Sequence, residues 1–169
     1  MQSQTKCLCW ACVAKASRGD VIKTRPGSFP CKAILHVCGE RDADVIEQLV
    51  CRIIQLCESC EHTSVAIPAI CAGKYNTRSS KERTKRSKMS IWQKPHHSYF
   101  VNLNDHSGAG GLDPALVAQT ILRGVSTTAS SGRLRSLTSI RLVLIKISVF
   151  LAFKQRAMQM FPSADISTG

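Results

Sequence analysis

No run of apolar residues in this sequence is long enough to cross a bilayer. The longest, "IRLVLIKISVFLAF", is broken by Arg141 and Lys146 and falls short of the roughly 20 residues that a spanning helix needs. The opening "MQSQTKCLCWACVAKASRGD" likewise has no apolar core of the length a secretory leader carries. These two absences predict a soluble, intracellular protein, nuclear or cytoplasmic, without a membrane partner. Acidic residues are scarce as well: 11 Asp and Glu stand against 23 Lys and Arg, for a formal charge of +12. Such an imbalance implies an anionic partner or a basic tail. Half of the excess lies between Lys74 and Gly108, where eight basic residues face only Glu82 and Asp105.

What is present is enough for one domain, since 169 residues can enclose a single sizeable core. Nine cysteines are an odd number and cannot all pair. In a reducing compartment they serve mostly as small core hydrophobes. "CKAILHV", after the turn-forming "RPGSFP", predicts a strand over Cys31 to Val37. In "ADVIEQLVCRIIQLCESC", Val45, Ile46, Leu49, Val50, Ile53, Ile54 and Cys57 recur at helical spacing and predict an amphipathic helix. "TSVAIPAI" is almost wholly apolar, the mark of a strand buried on both faces.

The pattern then lapses and resumes at "GAGGLDPALVAQTILRGV". Asp113 can cap a helix there, Pro114 can occupy its first turn, and Gly124 is expected to end it. A loop over Ser126 to Gly132 leads to a strand in "TSIRLVLI". A last helix, "SVFLAFKQRAMQMF", turns Val149, Phe150, Phe153, Ala157 and Met160 to one side. Alternating strands and helices predict an α/β fold with a largely parallel sheet, whose ligands bind at the carboxyl ends of the strands.

Four segments carry a family resemblance: "GDVIKTRPGSFPCKAILHVCG", "CEHTSVAIPAICAG", "GGLDPALVAQTILRGV" and "TSIRLVLIKISVFLAFKQRAMQMF". Together they resemble the later two thirds of a macrodomain of the kind found in tandem in multi-macrodomain poly(ADP-ribose) polymerases. The resemblance covers roughly Gly19 to Gly73 and Ala109 to Phe161. It implies a three-layer α/β/α sandwich, incomplete at its N-terminus, and ADP-ribose or mono-ADP-ribosylated proteins as partners, with no further cofactor. By the same resemblance Ile70, Cys71, Ala72 and Gly73 form the loop around the phosphates, continued by Ala109, Gly110 and Gly111. Small residues in such a loop let backbone N–H groups approach a diphosphate, and the helix that follows adds its dipole.

This chain also departs from the family's pattern. Cys71 and Ala72 stand where Gly, Ser or Thr is usual. The family's first strand and Asn-rich, Gly-rich loop have no counterpart in "MQSQTKCLCWACVAKAS", and positions that commonly hold an adenine-covering aromatic and an acidic residue fall on Ile145 and Lys146. The pocket is therefore expected to be half furnished. No hydrolase activity and no transferase domain are expected, and no catalytic residue is assigned.

With Lys74 to Gly108 excised, "VAIPAICAG" runs directly into "AGGLDPALVAQTIL", so residues 74–108 read as an insertion. Its first residues, Ala-Gly-Lys-Tyr, can be encoded by a splice-donor sequence, and a retained intron is the expected origin. The charge and lack of periodicity in the insertion predict disorder. The resulting organisation is an unmatched segment 1–17, a macrodomain-like fragment 18–73 and 109–162, the basic insertion 74–108, and a tail 163–169.

Three other chemistries weigh less. "KERTKRSK", with Trp92, Tyr99 and Phe100 near it, could form a nucleic-acid-binding module, but basic clusters are ordinary on solvated surfaces. Cys7, Cys9 and Cys12 with Cys57, Cys60 and His62, or with His96 and His97, could offer zinc ligands, yet Cys57 lies on the apolar face of a helix. Cys71 and His36 could form a nucleophile and base, though such residues in an α/β core are more often simply packed. The expected function is recognition of ADP-ribose. The alternatives are a non-binding structural remnant of a larger multi-macrodomain ADP-ribosyltransferase and a nucleic-acid-binding module.

Overall fold

A computed structural model describes residues 17, 19–37, 41–72, 97–103 and 111–163, with 97–103 as main chain. The chain is mixed α/β. Strands β1 (Val21–Thr24) and β2 (Cys31–Val37) precede helix α1 (Ala43–Ser59), and β3 (Ser64–Pro68) and β4 (His97–Leu103) precede helix α2 (Pro114–Ser130). Strand β5 (Ser139–Val143) and helix α3 (Ile147–Met160) follow. The strands form one five-stranded sheet in the order β1-β2-β4-β3-β5. Only the β1–β2 hairpin is antiparallel, with Val21 opposite Val37 and Thr24 opposite Ile34. The other pairings are parallel.

Helix α1 is fixed at both ends by local chemistry. Asp42 caps α1, its Oδ1 accepting from the amides of Asp44 at 3.0 Å and Val45 at 3.3 Å. At the other end Glu61 adopts φ 55°. Its amide donates to Glu58 O at 2.9 Å, and that of His62 donates to Cys57 O at 3.0 Å. This is a Schellman closure with glutamate where glycine is usual. Between these ends Ile46, Leu49, Val50, Ile53, Ile54 and Cys57 are fully buried, each large aliphatic among them contributing about 1.5–3 kcal/mol.

Register shows which side of the sheet the helices cover. Ala33, Leu35, Val37, Val65 and Ile67 share one cluster with buried residues of all three helices. Val21, Ile140 and Leu142 pack against that cluster and stand opposite Val37, Val65 and Ile67 respectively. The alternate residues Ile22, Ile34, His36, Ala66 and Arg141 therefore occupy the other face. Among the described residues the fold has two layers, a sheet and one layer of helices. The α/β class agrees with the expectation; any second helical layer of the expected sandwich lies outside the described residues.

Two expectations differ from the structure. Residues 74–108 were expected wholly outside the fold, yet β4, inside that range, lies between β2 and β3. Six residue pairs join β4 to β2, and Ala66 pairs with Phe100 on the other side. Tyr99, Phe100 and Val101 are strand formers whose signal follows a long basic run. The gap between β2 and β3 supplies them with hydrogen-bonding partners on both edges. The rest of 74–108, including the basic cluster, lies outside the described residues.

The second difference is the end of α2. Gly124 does not stop the helix, which continues to Ser130 and reverses at Gly132, φ 66°. Thr128 is accommodated because its hydroxyl donates back to Gly124 O at 2.8 Å. The role of Gly124 is proximity: a Cβ there would stand 3.0 Å from Glu47 O and 3.0 Å from both Val50 Cβ and Cγ1. At this glycine α2 rests directly on the backbone of α1.

Candidate functional site at the carboxyl edge of the sheet

Since β2, β4, β3 and β5 are parallel, their carboxyl ends share one edge of the sheet. Strand β3 ends there in a tight turn. The amide of Ala72 donates to Ala69 O at 3.2 Å, and Cys71, third residue of the turn, takes φ 59°. That left-handed position normally favours glycine or asparagine. The Ile70 side chain is buried in the core, whereas Cys71 and Ala72 are partly exposed.

The turn joins the start of α2 directly. Leu112 donates its amide to Cys71 O at 2.9 Å, and Ala72 and Leu112 form an isolated parallel bridge. Gly111 therefore adjoins the turn although 38 residues separate it from Ala72. Asp113 caps α2, one carboxylate oxygen accepting from Ala115 N at 3.0 Å and Leu116 N at 3.1 Å, with Pro114 in the first turn. Of the seven residues expected at this loop, Ile70, Cys71, Ala72 and Gly111 are brought together. Gly73, Ala109 and Gly110 lie outside the described residues.

Several amides at this edge are already engaged. Those of Ala72 and Leu112 serve the turn and the bridge, and those of Ala115 and Leu116 serve Asp113. Beyond β5, at the same edge, Ile145 is 90% exposed and Lys146 is also exposed.

The other candidate groups are dispersed. His36 is buried on the sheet face opposite the helices, with Nε2 3.0 Å from Thr24 Oγ1 and no partner at Nδ1 among the described residues. Burial holds its pKa below the ordinary value. Cys57 is buried, which pushes its thiol up to about 12. Lys23 Nζ donates to Cys60 Sγ at 3.5 Å. The pKa of His62 is lowered by burial and then by Lys23 and Lys32. Among the described residues no group of three or more His, Cys, Asp and Glu side chains could hold a metal ion. Cys7, Cys9, Cys12 and His96 lie outside the described residues, and His97 is described by its main chain alone.

A cavity of about 530 Å³ is lined, among the described residues, by Asp44, Glu47, Gln48, Cys51 and Arg52 of α1. It includes none of the expected loop residues. Arg52 donates to Gly19 O at 2.7 Å, and Arg123 pairs with Glu47 at 3.3 Å.

Sequence reasoning assigned no role to Glu58. One carboxylate oxygen accepts from Arg135 N and Ser136 N, each at 2.9 Å, and the other from Ser136 N at 3.1 Å and Leu137 N at 2.9 Å. These bonds hold its pKa below the usual carboxylate range and tie the approach to β5 onto α1. A lone glutamate near a helix end carries no sequence signal for such long-range contacts.

No protein-family model matches this chain, and no curated protein shows significant similarity to it. No described helix is long and apolar enough to cross a membrane.

Proposed function

We propose that this chain is a macrodomain-type recognition fragment, and that the turn at Cys71 and Ala72 with Gly111 faces the diphosphate of ADP-ribose or of an ADP-ribosylated protein. The observation that carries this reading is the hydrogen bond from Leu112 N to Cys71 O. It unites the two loop halves that the resemblance treats as one, at the edge where parallel α/β sheets bind ligands. A turn of small residues followed by a helix start is chemically suited to a diphosphate.

A second reading, a structural or interaction remnant that does not bind nucleotide, is favoured by a different observation. Four amides at this edge already donate to Ala69, Cys71 and Asp113, and they are lost to an incoming phosphate unless those bonds open.

Calorimetric titration of ADP-ribose into the full chain separates the two readings. Deleting residues 74–108 would remove β4 from the middle of the sheet, so the intact chain is the sample. Recognition through the diphosphate gives a heat that ADP competes away and adenosine does not. Gly111→Asp abolishes that heat, and Cys71→Gly preserves it. Absence of heat from a chain folded by circular dichroism overturns the proposal and leaves the structural reading.

A further inference from the structure

Among the described residues, four hydroxyl side chains follow an arginine by three positions: Ser28 after Arg25, Ser126 after Arg123, Ser136 after Arg133 and Thr138 after Arg135. That spacing presents a guanidinium to the carboxylates that an arginine-directed protein kinase places beside its acceptor hydroxyl, a charge pairing that selects substrates. Spacing alone does not separate the four. A kinase also needs the hydroxyl at the γ-phosphate of ATP, so the acceptor segment must leave the surface of its own domain, and a segment does so only where its local opening is easy.

Three of the four are held in place. Ser126 lies inside helix α2. The amide of Ser136 donates to both carboxylate oxygens of Glu58, and its neighbours Arg135 and Leu137 donate to them as well. Thr138 donates to Thr63 O from its amide at 3.0 Å and from its hydroxyl at 3.1 Å. Extending residues 135–138 therefore breaks bonds to α1 and to the approach to β3.

Ser28 is placed differently. It sits in the loop of the β1–β2 hairpin, where Arg25, Gly27, Ser28, Phe29 and Pro30 are all exposed. Gly27 takes φ 62°, and a Cβ there would meet no described atom within 4 Å, so the tip stands in open space. The main-chain bonds of this turn are local: Phe29 N donates to Pro26 O at 3.2 Å and Cys31 N to Phe29 O at 2.8 Å. Strand β2 starts from this loop and runs parallel to β4. The loop thus lies at the amino edge of the parallel strands, away from the Cys71 turn at their carboxyl edge.

We propose that Ser28 is a phosphorylation site for an arginine-directed serine/threonine kinase, with Arg25 as the residue that directs it. Ser28 Oγ attacks the γ-phosphorus of ATP. A new O–P bond forms as the bond to the β–γ bridging oxygen breaks, ADP leaves with that electron pair, and the serine proton passes to the catalytic carboxylate of the kinase. The product carries a charge of about −1.5 to −2 at the hairpin tip, outside the core. The site does not depend on ADP-ribose binding.

The test treats the full chain with ATP, Mg²⁺ and the purified catalytic subunit of cyclic-AMP-dependent protein kinase, and follows phosphate at each site by mass spectrometry. Resolution by site keeps hydroxyls elsewhere in the chain out of the comparison. Trypsin does not cut before proline, so Ser28 is read in the peptide Thr24–Lys32, where fragmentation separates it from Thr24. Phosphate is expected at Ser28 about tenfold or more faster than at Ser126, Ser136 or Thr138. Arg25→Gln is expected to lower kcat/KM at Ser28 about tenfold or more, with part recovered by Arg25→Lys. Arg25 is exposed, so both variants keep the wild-type circular dichroism melt. Absence of phosphate from Ser28 in the folded chain overturns the proposal, as does phosphate on Thr24 in its place. Equal rates at Ser28 and at Ser136 or Thr138 overturn it too, and an undiminished rate in Arg25→Gln does the same.

Discussion

Replacing Gly124 by alanine opposes two effects of known size. In a helix interior alanine is worth about 1 kcal/mol over glycine, so an exposed site would be stabilised. At Gly124 the new methyl would stand 3.0 Å from Glu47 O, Val50 Cβ and Val50 Cγ1, well inside the roughly 3.5–4.0 Å at which carbon atoms attract. Two of those three atoms belong to the α1 backbone or are fixed to it, so a rotamer change cannot clear them. The helices must part, and overpacking of this kind costs about 1–3 kcal/mol. Separation would also lengthen the contact from Cys51 Sγ to Gly124 O, now 3.6 Å. The packing cost is expected to prevail, leaving Gly124→Ala less stable by up to about 2 kcal/mol. Gly124→Leu, with more atoms to place, is expected to lose more than about 3 kcal/mol. Urea denaturation followed by circular dichroism measures both. In the Val50→Ala background, where Cγ1 is gone, the alanine penalty should shrink, as a double-mutant cycle would show. Equal or greater stability of Gly124→Ala would refute the reasoning, because it would mean that α1 and α2 separate without loss.

Other expected outcomes concern the ends of elements. Glu58 is held below its usual pKa by amides of Leu137, Ser136 and Arg135. Its contribution is therefore present above the unfolded value of about 4.3 and lost as pH falls through the lower folded one. Thermal melts from pH 7 to pH 3 should fall more steeply for the wild type than for Glu58→Gln, and parallel curves would contradict the anchor. Glu61→Gly removes the strain of a left-handed glutamate and should raise stability by up to about 1 kcal/mol in urea; a loss would mean that the Glu61 side chain matters. Asp113→Ala should cost about 1 kcal/mol through loss of the α2 cap. Asp113→Asn should recover most of it, and failure to do so would deny the capping role.

Much of the frame was legible in the chain. The periodicity of Ile46, Leu49, Val50, Ile53 and Cys57 located α1, and the run Cys31–Val37 coincides with β2. Asp113 and Pro114 marked the start of α2, because capping depends on residues within one turn. The end of α2 was misplaced because glycine has two meanings, a helix stop and a point of close approach. Only the presence of α1 against Gly124 distinguishes them. Strand β4 was missed because its pairing depends on partners 66 and 34 residues earlier in the chain. Four of the seven residues that the resemblance implies for the candidate loop meet at one edge, but whether its amides are already bonded is a matter of three-dimensional geometry.

By itself the sequence determined β2, β3, β5, the three helices, the Asp113 cap and the charge, since these follow from neighbours within a few residues. The tertiary structure decided the strand order, the face of the sheet that the described helices cover, the contact between Cys71 and Leu112, and the Glu58 anchor. Each joins residues distant in sequence, and such contacts form only where packing brings particular atoms within bonding distance.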